Sequence, residues 1–153
     1  MKRQNEMGGD FLRIPLDNGT FAYGRVLDDT YAAFYDYSTS EPETDLDVIQ
    51  SKPVMFRIAI RRRPGKDKWE VIGRRDLDAE LARPVVQFMQ DLANPAKCVI
   101  FDSAGDERAA TPQECIGVER AAVWDSDNVE RRLLAHVLGV PDGQSERFKV
   151  RLT

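Results

Sequence analysis

Three side chains stand out as candidates for covalent chemistry: Cys98, Cys115 and His136, which are all the thiols and the one imidazole of the chain. A thiolate beside an imidazole would make a nucleophile and base pair, and such partners need be close only in space. No local signature supports that use, since neither cysteine sits in a recognisable nucleophile motif. The reading favoured by the residues is two buried free thiols and a histidine on a helix surface near its C-terminus. Two cysteines cannot build a disulfide framework, no CxxC clip is present, and a single histidine argues against a His-rich metal centre. Met7-Gly8-Gly9 and Gly65 lack the spacing of a phosphate-binding loop. The expectation is therefore no catalytic residue, no cofactor and no metal.

Charge is more informative. Glu41, Glu43, Asp45 and Asp47 fall in a stretch with no basic residue. Nearby, Arg57, Arg61, Arg62, Arg63, Lys66, Lys68, Arg74 and Arg75 form a basic stretch interrupted only by Asp67 and Glu70. One explanation is two solvated regions that partly neutralise each other. The sharper one makes the acidic loop a docking surface for a basic protein, with Tyr35 and Tyr37 as rigid aromatic anchors. The Tyr31, Ala33, Tyr35, Tyr37 stripe fits a half-buried sheet face equally well.

The elements that must carry these residues are mostly strands. Leu12, Ile14 and Leu16 alternate with Phe11, Arg13 and Pro15, and Asn18-Gly19 is a strong hairpin turn. Strands follow at Phe21–Leu27 and Tyr31–Tyr37, joined at Asp28-Asp29, and together they predict an antiparallel meander. Thr44 caps a short helix reaching Gln50; Pro53 introduces a strand from Val54 to Arg61, and another runs from about Lys68 to Arg74. Asp76 to Leu81 reads as one helical turn. Val85–Asp91, Lys97–Asp102 and Val118–Trp124 read as strands. Thr111-Pro112-Gln113-Glu114 matches a capping box, and Asp127–Leu138, capped by Asp125 or Asp127, is the main helix, stopped by Gly139. Trp124 is expected to pack that helix onto the sheet with its N–H seeking a partner. Phe148, Val150 and Leu152 alternate with basic residues, which suggests an edge strand or a tail over 140–153. The fold class is α+β, mostly β: an antiparallel meander or barrel-like sheet, a few short helices and one longer C-terminal helix, as one domain over 1–153.

Composition bounds the function. The chain has 153 residues, with 22 Lys and Arg against 26 Asp and Glu, a formal charge of −4. That balance argues against direct nucleic-acid binding, which needs a basic footprint. Hydrophobic residues make up 42%, a globular share, yet no apolar run is long enough for a membrane helix. The basic start, Met1-Lys2-Arg3, is followed by no apolar signal core, so residence in the cytoplasm is expected.

Several groups of residues, in order, resemble the immunity protein 26 family of bacterial polymorphic toxin systems. They are Gly9-Asp10, Ile14-Pro15-Leu16, Tyr23-Gly24-Arg25-Val26, Phe34-Tyr35-Asp36, Lys52-Pro53-Val54 and Phe56-Arg57. Val71-Ile72-Gly73, Phe88, Gln90-Asp91, Thr111-Pro112, Glu114-Cys115, Gly117, Glu119, Ala122-Val123-Trp124, Val129-Glu130 and Arg132-Leu133 continue the match over roughly 9–138. The resemblance implies a mostly β protein, encoded beside a toxin gene, that binds and neutralises a cognate toxin, in many cases a nuclease effector of a contact-dependent or other polymorphic toxin system. It supplies no catalytic residues. A nuclease groove must be basic to hold phosphates, which would suit Glu41, Glu43, Asp45 and Asp47. Some relatives are described as resembling a small organophosphate triesterase, and with His136 alone such an activity would need a mechanism other than a His-rich binuclear metal site.

Overall fold

The computed structural model describes residues 7–63 and 65–152. The basic start at positions 1–6, Pro64 of the basic turn and residue 153 lie outside the described residues. Strands β1 (Asp10–Pro15), β2 (Phe21–Val26), β3 (Tyr31–Thr39) and β4 (Val54–Arg61) form the expected antiparallel meander. The Asn18-Gly19 turn closes β1 on β2, with Gly19 at φ +84° and the Asn18 side chain accepting from the Thr20 N–H. The Asp28 carboxylate accepts the N–H groups of Thr30 and Tyr31 and so makes the second turn.

Two connections are invisible to local pattern. After β4 the chain crosses to the far edge, so that β5 (Glu70–Arg74) pairs with β1 rather than with β4. The short β10 (Val123–Asp125) pairs in parallel with β4 on the opposite edge, giving the six-stranded order β10-β4-β3-β2-β1-β5. A second sheet has the order β8-β7-β6-β9, from β6 (Val86–Gln90), β7 (Cys98–Asp102), β8 (Glu107–Ala110) and β9 (Glu119–Arg120). Neither sheet closes on itself, so the meander, not the barrel-like alternative, is the arrangement present. The single strand expected over Val118–Trp124 is two strands, because the chain leaves one sheet after Arg120 and joins the other at Val123.

Helix α2 (Ser126–Leu138) ends on Gly139 at φ +70°, as its sequence predicts. Asp125 occupies the N-cap by backbone conformation, without a side-chain capping bond, because its carboxylate pairs with Arg61. The capping box is made reciprocally: Glu114 accepts the Thr111 N–H while Thr111 Oγ1 accepts the Glu114 N–H, over the single 3₁₀ turn Gln113–Cys115. Helix α1 (Leu46–Gln50) is capped by Asp45, not Thr44, the Asp45 carboxylate accepting the Asp47 N–H at 2.9 Å. Over residues 140–152 a helix, α3 (Gly143–Phe148), forms and a tail without regular structure follows it, and no edge strand forms among the described residues. Asp142 explains the difference, because it caps α3 by accepting from the Ser145 N–H.

The two faces of the larger sheet are covered differently. On one, Leu12, Ile14, Ala32, Phe34, Phe56 and Ile58 pack against Val129 and Leu133 of α2, with Trp69 and Trp124 completing the cluster. Trp124 is buried between helix and sheet, but its N–H has no partner among the described residues. On the other face lie Phe11, Tyr23, Arg25 and Tyr35, covered by Ile49 and Leu46 of α1. Gly73 permits that cover, since a Cβ there would stand 2.6 Å from the Leu46 side chain.

Candidate functional site

The acidic segment lies on this second face, and its position follows from the strands beneath it. Alternation along β2 and β3 sends Tyr23, Arg25, Tyr35 and Tyr37 to the same side. The Tyr23 and Tyr37 rings meet with centroids 5.3 Å apart. Tyr23 Oη accepts the Glu43 N–H at 2.8 Å and shares a 2.7 Å bond with Thr39 Oγ1. Tyr37 donates its phenol hydrogen to Glu43 Oε1 at 2.7 Å, and Glu43 Oε2 accepts the Asp45 N–H. The loop is therefore pinned at Glu43 by two tyrosines and at Asp45 by the start of α1.

The charges follow that geometry. The Tyr37 hydrogen bond holds the Glu43 carboxyl below its ordinary range, helped by the Asp45 N–H. The same bond pushes the Tyr37 phenol up to about 12, since losing its proton would set two anions against each other. Lys52 places its ammonium 4.6 Å over the Tyr37 ring. Asp47 pairs with Arg75 at 2.6 Å, and this bridge joins the acidic segment to the end of the basic stretch. Most of that basic stretch is already matched: Arg61 with Asp125, Arg62 with Asp67, Arg63 with Asp127 and Arg74 with Asp10.

Of the residues singled out in the sequence, Glu41, Asp45 and Asp47 are exposed, and Tyr37 and Glu43 are half-buried. Tyr35 is 1% exposed and accepts a hydrogen bond from Arg25 Nη1 at 3.3 Å. It cannot meet a partner as a surface anchor in this arrangement, because α1 and the Arg25 guanidinium lie over it. Cys98 and Cys115 are both buried, and burial together with the neighbouring Cys98 thiol pushes the Cys115 thiol up to about 11. His136 is exposed and hydrogen-bonds Asp36 through Nε2 at 2.9 Å, far from the thiols in role and partner. Among the described residues, no group of three or more His, Cys, Asp or Glu is placed to hold a metal ion.

The residue that organises this face, Arg25, stands out in the sequence only as one position of the family pattern, equally suited to holding the fold and to touching a toxin. Arg25 is fully buried and has no carboxylate partner among the described residues. Its guanidinium stacks 3.9 Å over Phe11 and donates to the carbonyls of Gly9 (3.2 Å), Arg75 (3.0 Å) and Asp76 (3.5 Å). Carbonyl dipoles and a ring face thus take the place of a counter-ion. Gly9 fits because a Cβ there would lie 2.1 Å from the Arg75 carbonyl oxygen, at φ +96°. By gripping 75–76, Arg25 holds a second acidic segment, with exposed Asp76 and Asp78, on the same face as Glu41, Asp45 and Asp47. The alternating acids of Asp76-Leu77-Asp78 are readable in the sequence, but their neighbour is not.

The model of one protein family, described as Immunity protein 26, matches residues 8–99 of the chain. The match contains β1 to β6 and both acidic segments; α2, α3 and most of the second sheet lie beyond it. No curated protein and no solved structure matches the chain.

Proposed function

The chain belongs to the immunity protein 26 family, and from that membership we propose that it binds a cognate bacterial toxin in the cytoplasm through the acidic face just described. The observation that carries the choice of face is the convergence of two acidic segments, 41–47 and 76–78, on one rigid sheet surface through Arg25 and Arg75. A toxin that cleaves nucleic acid needs a basic groove for phosphates, and this surface offers that groove carboxylates in place of phosphate. Glu41, Asp45, Asp47, Asp76 and Asp78 supply the field, Tyr37 and Glu43 the half-buried centre, and Tyr35 holds Arg25 from beneath. Inhibition is stoichiometric: the immunity protein covers the toxin surface that substrate would occupy. The toxin is a nuclease effector of a contact-dependent or other polymorphic toxin system, and no nucleic acid is bound directly.

Complementary charge acts mainly on the rate of encounter, so association kinetics make the sharpest test. Glu41→Lys and Asp76→Lys alter exposed carboxylates that have no ion-pair partner among the described residues. Paired in one variant, they should slow association with the product of the adjacent toxin gene by about tenfold at low salt, with the gap closing as salt is added. Association as fast as the parent's at low salt would remove this face from the interface. Failure of the parent to protect cells expressing that toxin would remove the immunity reading itself.

A further inference from the structure

A cleft of about 430 Å³ opens between β9, β10, α2, α3 and the tail. Its size is that of small-ligand sites, which run from about 300 to 1,000 Å³. Trp124 and Phe148, which meet edge to face with centroids 5.4 Å apart, form one wall. Ile116 and Leu152, 61% and 50% exposed, form the rim. Apart from Ser145 and four charged residues, Glu119, Arg120, Arg132 and Lys149, the described lining is apolar, and those charges do not balance.

Among the described residues Glu119 is the one carboxylate lining the cleft, and it is spent on Arg132, which it meets through two 2.9 Å bonds. Arg132 is held further by the rings of Phe56 and Trp124, 3.6 and 5.0 Å from its guanidinium carbon. Lys149 pairs with Glu146 at 3.0 Å. Arg120 is left over. Its Nε and Nη2 donate to the carbonyls of Phe148 and Lys149 and to Gln90 Oε1, and its guanidinium lies 4.7 Å over Phe88. Among the described residues it has no carboxylate, and Nη1 has no partner. A guanidinium cannot shed its charge, so a half-buried one without a counter-anion favours any anion that can reach it. Arg25 is also without a carboxylate, but it is sealed in the sheet face with ring and carbonyls around it, whereas Arg120 opens on a cleft.

We propose that this cleft binds an amphipathic monoanion: one carboxylate, paired with Arg120, on an apolar body that lies against Trp124, Phe148 and the Ile116–Leu152 rim. One net positive charge calls for one negative charge, and the apolar walls exclude a small hydrophilic anion as the preferred ligand. The site lies outside the acidic face and outside residues 8–99, so it neither needs nor tests the toxin reading.

The test uses the purified full chain with decanoate, decanol and decylamine, which share a body and differ in charge. The chain has two tryptophans, and their indole N–H resonances should be distinct, since Trp69 donates to Glu130 at 2.9 Å whereas Trp124 is unpartnered among the described residues. Decanoate should shift the Trp124 resonance saturably and leave that of Trp69 in place, with decanol at least about tenfold weaker and decylamine weaker still. Arg120→Gln should erase the preference for acid over alcohol. Because that variant also loses bonds to the tail, Ile116→Glu with Leu152→Glu provides a second arm on exposed positions, and should abolish decanoate binding at unchanged thermal stability. No saturable shift in the parent, equal binding of acid and alcohol, or undiminished binding by the rim variant would each overturn the proposal.

Discussion

The two faces of the six-stranded sheet are closed by different physics. The face under α2 is sealed by hydrocarbon, with Phe34 touching Phe56 and Trp69 at centroid distances of 5.1 and 5.9 Å. The opposite face also has an apolar cover, Ile49 and Leu46, but adds phenols, a buried guanidinium and backbone carbonyls, and it carries the acidic segments at its surface. Hydrophobic contact is strong but nondirectional, so it determines that a helix docks without fixing a loop to a few tenths of an ångström. Hydrogen bonds are directional and weaker in net effect, and they suit a surface whose charges must stand in a set pattern. The apolar face should therefore dominate stability, and the polar face should dominate the geometry of recognition.

That contrast can be broken at graded cost. Phe34→Ala should be the most damaging change, about 3–5 kcal/mol in chemical denaturation, because it empties a site ringed by aromatic neighbours. Arg25→Met keeps much of the volume but leaves the Gly9 and Arg75 carbonyls and the Tyr35 hydroxyl without their donor, for a loss of about 1–3 kcal/mol. Its distinguishing mark should be faster amide exchange in 41–50 and 75–78 with the α2 face still protected. Uniform loss of protection would mean that Arg25 supports the whole fold and not one surface.

Tyr37→Phe should be smaller still in stability and clear in spectroscopy. In the parent, Tyr37 should ionise at about 12 in an ultraviolet titration, and the variant should lose that one step while the Tyr35 phenol, which burial also pushes up, still titrates late. The raised phenol value means that this bond helps the folded state fully below the unfolded tyrosine value near ~10, and that the help fades as pH rises through about 12. The lowered Glu43 value works at the other end: its contribution is present above the unfolded glutamate value near ~4.3 and is lost as pH falls. In Tyr37→Phe the Glu43 carboxyl should titrate closer to an ordinary glutamate by carbon-detected NMR. Glu41→Lys should have the least effect on folding, leaving the denaturation midpoint unchanged while slowing toxin association. A large stability loss there would show the loop to be structural rather than presented.

Several of these elements are legible in the chain itself. The Asn18-Gly19 hairpin, the reciprocal Thr111 and Glu114 cap and the Gly139 stop each depend on residues within four positions of one another. Two-residue alternation in β1 to β4 also determines which side chains share a face, and it assigns Tyr23 and Arg25 to one side of their strand and Tyr35 and Tyr37 to one side of theirs. The end of the chain shows how such local signals compete: Phe148, Val150 and Leu152 alternate as a strand would, but the Asp142 cap closes a helix first.

What the amino-acid sequence determined by itself was local: turns, caps, strand faces, the acidity of 41–47 and the family pattern. Pairing across distance belonged to the tertiary structure. The crossing of β5 to the β1 edge brings Arg75 and Asp76 beside Arg25, and the chain's switch of sheets after Arg120 opens a cleft beside a guanidinium that has no acid among the described residues. Neither follows from spacing along the chain, because the free energy of a buried charge depends on which carbonyls, rings and carboxylates surround it in space.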